Sequence, residues 1–251
     1  MKLIQITDCH IKKNNDDLIY GVNPRERLTE IIKYIKINQN EFDFILLTGD
    51  ISDDGSIESY KFVADLFISL SKDVYFINGN HDCKNNMLSV FSNYDLFHHL
   101  QDFQYKSWIF IGVDSSVKAK DYGFISDIEL NKLNISLIKS EKNNNNVAVV
   151  THHHPVSVHT PLIDDCLINN GPDFIKAIEN HNVVKLIITG HVHNDYSINI
   201  EKIKLETGPA TCVQFIAGGS NENTDIDKIK YGYKIYNLEE NGTYYTTTVY
   251  L

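Results

Sequence analysis

The 251-residue sequence is short of the features that would assign it to several large classes. No apolar run approaches the roughly 20 residues that cross a bilayer. The chain enters a strand directly, without a basic region, an apolar core and a small-residue cleavage site, so a cytoplasmic protein away from membranes is expected. Four cysteines, Cys9, Cys83, Cys166 and Cys212, stand far apart and form no paired motif. That spacing favours free thiols over a disulfide framework. With 23 Lys and Arg against 33 Asp and Glu, the formal net charge is -10. Such a chain has no diffuse basic surface to hold a nucleic-acid backbone, so a long nucleic-acid partner is disfavoured. Low-complexity linkers, internal repeats and abrupt compositional shifts are also missing, and residues 1–251 are expected to form one domain.

The sequence does contain short apolar runs of Ile, Val and Phe: MKLIQIT from Met1, FILLT from Phe44, VYFIN from Val74, VAVVT from Val147 and KLIIT from Lys185. They read as strands buried on both faces. Helical period fills the gaps. Pro24 to Asn38 has Asn23 as cap, Pro24 in the first turn and Leu28, Ile31, Ile32 and Ile35 on one stripe. Ser56 to Leu70, Asp127 to Lys139 and Pro172 to Asn180 are further helices. Beyond Gly190 the pattern turns to strands over Tyr196–Glu206, Thr211–Ala217, Tyr231–Tyr236 and Thr243–Tyr250, with a turn at Asn241-Gly242. Asn221 to Lys230 reads as a solvated loop. The fold class is therefore α/β, with two sheets packed face to face and helices covering them.

Seven of the eleven histidines lie in four clusters at the ends of these strands: Asp8-Cys9-His10, Gly79-Asn80-His81-Asp82, His152-His153-His154-Pro155 and Gly190-His191-Val192-His193. Gly49-Asp50 falls between the first two. Residues two apart on extended chain share a side, so Asp8 and His10 can reach one ion, and His191 and His193 repeat that spacing as imidazoles that can serve different ions. Taken alone, Asp8 and His10 read first as a hydrogen-bonded couple, and Asp50 as a capping aspartate. Asp50 has two oxygens and can bridge two ions. Asn80 offers a neutral oxygen, and Asp82 is placed to hold the His81 imidazole through its second nitrogen. His98, His99 and His181 match no motif and read as solvated surface.

Taken in order, Asp-x-His, Gly-Asp, Gly-Asn-His-Asp, His before Pro and Gly-His-x-His resemble the calcineurin-like metallophosphoesterase superfamily over residues 8 to 193. The resemblance implies a four-layer α-β-β-α sandwich of two mixed sheets flanked by helices. It also implies two metal ions, iron and manganese foremost, with zinc or cobalt as other occupants. Asp8, His10 and His193 would hold the first ion and Asn80, His153 and His191 the second, with Asp50 bridging. His153 is chosen because the family's ligand stands two residues before the proline, and strand alternation would turn His152 and His154 away. His81 with Asp82 would be catalytic, His81 as general acid, and Asn80, His81 and His193 would also bind substrate. The ions would share a water and lower its pKa, so that hydroxide attacks phosphorus in line.

Tyr20-Gly21-Val22-Asn23, His152 to Pro155, Leu162-Ile163-Asp164 with Asn170, and Thr211 to Phe215 are similar to bacterial class III cyclic-nucleotide phosphodiesterases. That likeness implies hydrolysis of 3',5'-cyclic AMP to the 5'-monophosphate, a small phosphodiester substrate. The overall acidity does not oppose this, because two cations dominate the field of a pocket. A glycerophosphodiesterase, or a broad-specificity phosphodiesterase or phosphomonoesterase, would use the same metal core. A nuclease is opposed by the acidic balance, and an inactive binding module by the intact ligand set. The sequence leaves the oligomeric state open, a homodimer included.

Overall fold

Side-chain alternation along the strands builds the layers. In the computed structural model, which describes residues 1–39, 41–220 and 224–251, the chain begins β1 (Lys2–Ile6), α1 (Pro24–Asn38), β2 (Phe44–Thr48), α2 (Ile57–Phe67), β3 (Val74–Ile77), α3 (Lys84–Phe91) and β4 (Phe97–His99). It continues through β5 (Asp102–Tyr105), β6 (Trp108–Gly112), α4 (Asp127–Lys142), β7 (Asn146–Val150), α5 (Pro161–Asp164), α6 (Gly171–Glu179) and β8 (Val184–Thr189). The last strands are β9 (Ser197–Ile200), β10 (Ile203–Thr207), β11 (Gln214–Phe215), β12 (Ile226–Asp227), β13 (Gly232–Leu238) and β14 (Tyr244–Tyr250). One six-stranded sheet has the order β14-β13-β1-β2-β3-β4 and the other β5-β6-β7-β8-β10-β9. Both mix parallel and antiparallel pairs.

Because successive side chains point to opposite faces, each central strand serves two cores. Phe44 and Leu46 of β2 join Ala148 and Val150 of β7 and Leu186 and Ile188 of β8 between the sheets. Ile45 and Leu47 face Leu28, Ile32, Tyr60, Val63 and Phe91 of α1, α2 and α3. Val147 and Val149 face Leu133, Leu137, Phe174 and Ile178 of α4 and α6. The result is the expected four-layer sandwich.

The helix signals held locally. Asn23 Oδ1 accepts from the amides of Arg25 and Glu26 at 3.0 and 3.3 Å, and Ser56 and Ser126 cap α2 and α4. Several boundaries differ from the sequence reading. The Ser56–Leu70 segment is α-helical only to Phe67, then tightens to a 3-10 turn and stops at left-handed Ser71. Tyr196–Glu206 is a hairpin rather than one strand, because left-handed Glu201 reverses the chain and Ile200 pairs with Ile203. Within Thr211–Ala217 only Gln214 and Phe215 are strand. The Asn221–Lys230 loop lies partly outside the described residues, and its remainder contains β12. β4, β5, β6, α3 and α5 carry no reading from the sequence. Among the described residues no helix is long and apolar enough to cross a membrane.

Candidate active site

The parallel strands β1, β2 and β3 of one sheet and β7 and β8 of the other all run out toward the same cavity. Asp8, Asp50, Asn80, His152 and His191 each follow one of these strands by two or three residues. The backbone there is not extended. Asp8, His10, Asp50, His191 and His193 all have φ between 47° and 67°, a left-handed conformation that costs non-glycine residues energy and collects at functional sites. These turns, rather than strand alternation, therefore set where Asp8, His10, His191 and His193 point. Neighbouring strand ends can approach closely because Gly79 and Gly190 lack a Cβ, which would collide with Asp50 and with Thr7 respectively. Hydrogen bonds pin the turns: Asp8 N–H donates to Gly49 O at 3.1 Å, His81 N–H to Asp50 Oδ1 at 2.9 Å and His191 N–H to Asp8 Oδ2 at 3.0 Å.

Two groups of donor atoms meet at Asp50. In the first, His10 Nε2 lies 3.7 Å from Asp50 Oδ2 and 3.0 Å from His193 Nε2, itself 3.5 Å from Asp8 Oδ1. In the second, His152 Nε2 lies 3.4 Å from Asp50 Oδ2 and 3.1 Å from Asn80 Oδ1. One ring nitrogen from each of His152, His153 and His191 falls within 4.8 Å of the others.

The tautomers show whether these atoms suit a cation. His193 Nδ1 faces the Val213 carbonyl at 2.9 Å and His152 Nδ1 the Thr48 carbonyl at 2.8 Å. A carbonyl only accepts, so a proton sits on Nδ1 and Nε2 is the nitrogen turned into the site, free to hold a cation when it carries no proton. His10 is held the same way by Asp53 Oδ1, 3.1 Å from its Nδ1. His191 Nε2 is buried with no hydrogen-bond partner. Bare imidazole lone pairs facing one another and two buried carboxylates fit metal ions.

The electrostatics agree. Burial, with Asp50 nearby, pushes Asp8 up to about 6 despite the opposing pull of His152 and His10. Burial would also raise Asp50, but His152 and His10 hold it well below the ordinary carboxylate range. Burial lowers His152, but the charge and hydrogen bond of Asp50, with Asp8 and the Thr48 carbonyl, together outweigh it and leave the ring at about 9. For His153, His191 and His193 burial wins and keeps the rings neutral. The cavity thus attracts positive charge, which the His152 proton supplies when no cation is bound.

The triple histidine is arranged differently from the sequence expectation. The backbone leaves strand geometry after Val150, and His152 turns into the site instead of away. His153 has both ring nitrogens engaged: Nδ1 is 2.8 Å from Ser115 Oγ and Nε2 3.2 Å from the Asp121 carbonyl. The ring that confronts Asp50 and Asn80 is therefore His152. His154 supports the site: its Nε2 is 3.4 Å from Asp164 Oδ1, and its ring lies nearly parallel to His191.

Asp82 does not hold His81. Its carboxylate accepts from the amides of Ile51, Ser52 and Gly79 at 3.2, 2.9 and 2.9 Å and from Tyr60 Oη at 3.0 Å, tying the loops after β2 and β3 together. The carboxylate beside His81 is Asp53, whose Oδ1 is 3.5 Å from His81 Nδ1. His81 itself remains 40% exposed at the cavity mouth. Asp53 was missed by the sequence reading, although an acidic residue three positions after Asp50 in the same loop was a usable signal. The Thr211–Phe215 segment orients His193: the Val213 carbonyl fixes its Nδ1, the Phe215 amide donates to its carbonyl at 2.9 Å, and the Phe215 ring stacks on it at 4.4 Å. His98 pairs with Asp73, while His99 and His181 are partly buried rather than solvated.

Paired helix-flanked sheets with carboxylates and imidazoles at their strand ends define the metallophosphoesterase fold. Solved structures agree on that fold. A dimetal phosphatase from Danio rerio covers 94% of each chain at a TM-score of 0.67 and 14% identity. The purple acid phosphatase of yellow lupin covers 98% of this chain and 53% of its own at 0.66 and 12%. The calcineurin-like phosphoesterase profile matches residues 1–195, and the chain belongs to that family. Its relatives include a 3',5'-cyclic adenosine monophosphate phosphodiesterase of Vibrio vulnificus, 31% identical over 96% of this chain and 87% of that protein. A 3',5'-cyclic-nucleotide phosphodiesterase of Nostoc is 30% identical over 98% and 91%.

Proposed function

We propose that the protein is a cytoplasmic, metal-dependent phosphodiesterase that opens 3',5'-cyclic AMP, and cyclic nucleotides of that kind, to the 5'-monophosphate. The observation that carries this reading is the pair of donor groups sharing Asp50, each lined by imidazole nitrogens whose protons are committed elsewhere. Asp8, His10 and His193 would hold one ion. Asn80, His152 and His191 would hold the other, with His153 beside them and Asp50 between. Bound there, two ions would polarise the phosphoryl oxygens and supply an activated water.

The remaining work falls to the chain. His81 stands at the mouth of the cavity, where it can donate a proton to the departing ribose 3'-oxygen and contact the phosphoryl group with Asn80 and His193. Asp53 lies between His10 and His81, so one carboxylate orients a ligand and the acid together. Lys12, 3.4 Å from Asp53 Oδ2, completes that side. Asp82 keeps the two loops in register. We also propose that residues 1–251 act as one domain, since β13 pairs onto β1, β14 onto β13 and β10 onto β8.

A substrate panel on metal-loaded protein tests the reading. Cyclic AMP should be turned over with a higher kcat/KM than a glycerophosphodiester or a simple monoester, giving 5'-AMP. Preference for either of the others would replace this reading with the corresponding alternative.

A further inference from the structure

The cavity of about 470 Å³ is lined by two kinds of side chain. One is the cluster of imidazoles and carboxylates, with Lys12. The other is an apolar wall of Leu18, Tyr20, Leu162, Cys166 and Phe215, with Asp121 near Cys166. Two separate segments supply that wall. Leu18 and Tyr20 come from the loop before α1, and Leu162 from α5, with Cys166 just after it. The second segment is fixed by Asp164, whose carboxylate accepts from Ser157 Oγ and the Val158 and Thr160 amides at 2.6, 2.8 and 3.2 Å.

Tyr20 stands out energetically. It occupies a two-residue turn closed by reciprocal Ile19 and Val22 backbone hydrogen bonds at 2.9 Å, with φ of 51° at Tyr20 and 85° at Gly21. Asn, Asp or Gly satisfies such a turn cheaply, whereas a bulky residue at positive φ is an outlier. The ring is also 52% exposed, and neighbouring Leu18 53%. Strain and solvent exposure are both tolerated to place an aromatic face at the mouth of the cavity. The ring meets Phe215 edge-on at 6.3 Å, and Phe215 is in turn stacked on His193, which sets the wall relative to the reacting centre.

We infer that this apolar wall forms a nucleobase slot, in which the base of a cyclic mononucleotide packs against Tyr20 and Leu162 while its phosphate lies among the histidines. The inference rests on the phosphodiesterase reading for the position of the phosphate. A flat, uncharged ring is the part of such a substrate that apolar and aromatic walls select, and a cavity of this size suits one nucleotide.

The test compares wild type, Tyr20→Ala and Tyr20→Phe, with metal content checked in each. Cyclic AMP hydrolysis is measured, together with equilibrium binding of AMP and of ribose 5-phosphate. Tyr20→Ala should raise KM for cyclic AMP about tenfold with kcat little changed, the size typical of an aromatic-base stack, and Tyr20→Phe should restore it. Wild type should bind AMP more tightly than ribose 5-phosphate, and Tyr20→Ala should lose most of that difference. An unchanged KM and an unchanged AMP to ribose 5-phosphate ratio would overturn the slot while leaving the phosphodiesterase reading intact. A wild type that hydrolyses no cyclic nucleotide would refute that reading, and the binding ratio would still decide the slot.

Discussion

His10 Nε2 and His193 Nε2 face each other at 3.0 Å, with the Nδ1 protons of both rings committed, to Asp53 and to the Val213 carbonyl. Two lone pairs so close repel unless a cation or a proton lies between them.

Metal should therefore stabilise the fold by mass action. Chelator-stripped protein is expected to melt several degrees lower, and added Mn²⁺ should restore the Tm in a concentration-dependent way. Identical melting curves with and without metal would contradict the donor assignment.

His152 and His153 are separable by mutation. His152→Ala should lose an ion and about two orders of magnitude or more in kcat, as removal of a metal does. His153→Ala should keep its ions, because that ring already serves Ser115 and the Asp121 carbonyl. Metal analysis beside steady-state rates distinguishes the two, and a reversed pattern would restore the family spacing rule over the observed geometry.

His81 and Asp82 should also part ways. His81→Ala is expected to retain metal and stability while losing rate, by about 100-fold or more for substrates with a poor leaving group. Asp82→Ala strands three amides and the Tyr60 hydroxyl, and should cost about 2–4 kcal/mol of stability in urea titrations. Asp53→Ala should slow turnover through both His10 and His81. If instead Asp82→Ala leaves stability unaltered, its anchoring role fails.

Acid should loosen the molecule through carboxylates that are not themselves assigned to a metal. Burial would raise Asp114, but Lys84, the Ser116 amide and Asn78 depress it, and Asp164 is likewise depressed by His154, Ser157 and the Val158 amide. A depressed carboxylate contributes stability that is full above its unfolded pKa near 4 and is lost as pH falls through its folded value. Urea midpoints should thus fall below about pH 4, and Asp114→Asn should flatten that fall. A wild-type slope unaltered by the substitution would show that Asp114 carries none of it.

The layers and most of the site could be read from sequence because each rests on a local signal. Alternating apolar runs and capped helical stripes repeat within a few residues, and Asp8, His10, Asp50, Asn80, His191 and His193 follow their strands directly. What escaped depends on contacts between distant segments or on unusual backbone. Asp53 reaches His81 across a loop, and Ser115 meets His153 from another strand end. His152 turns inward because the chain leaves strand geometry after Val150, which an alternation rule cannot anticipate. β6, Trp108–Gly112, runs out into Asp114-Ser115-Ser116 rather than into a histidine cluster, so its strand end carries no metal-ligand signal.

The central claim is that two ions sharing Asp50 enable hydrolysis of a cyclic phosphodiester, and it is tested most directly by measuring metal content and cyclic AMP turnover on the same samples. Wild type should carry two ions per chain and release 5'-AMP, while Asn80→Ala and His191→Ala should lose the second ion and the activity together. Full turnover by either variant, or by wild type holding a single ion, would contradict the account.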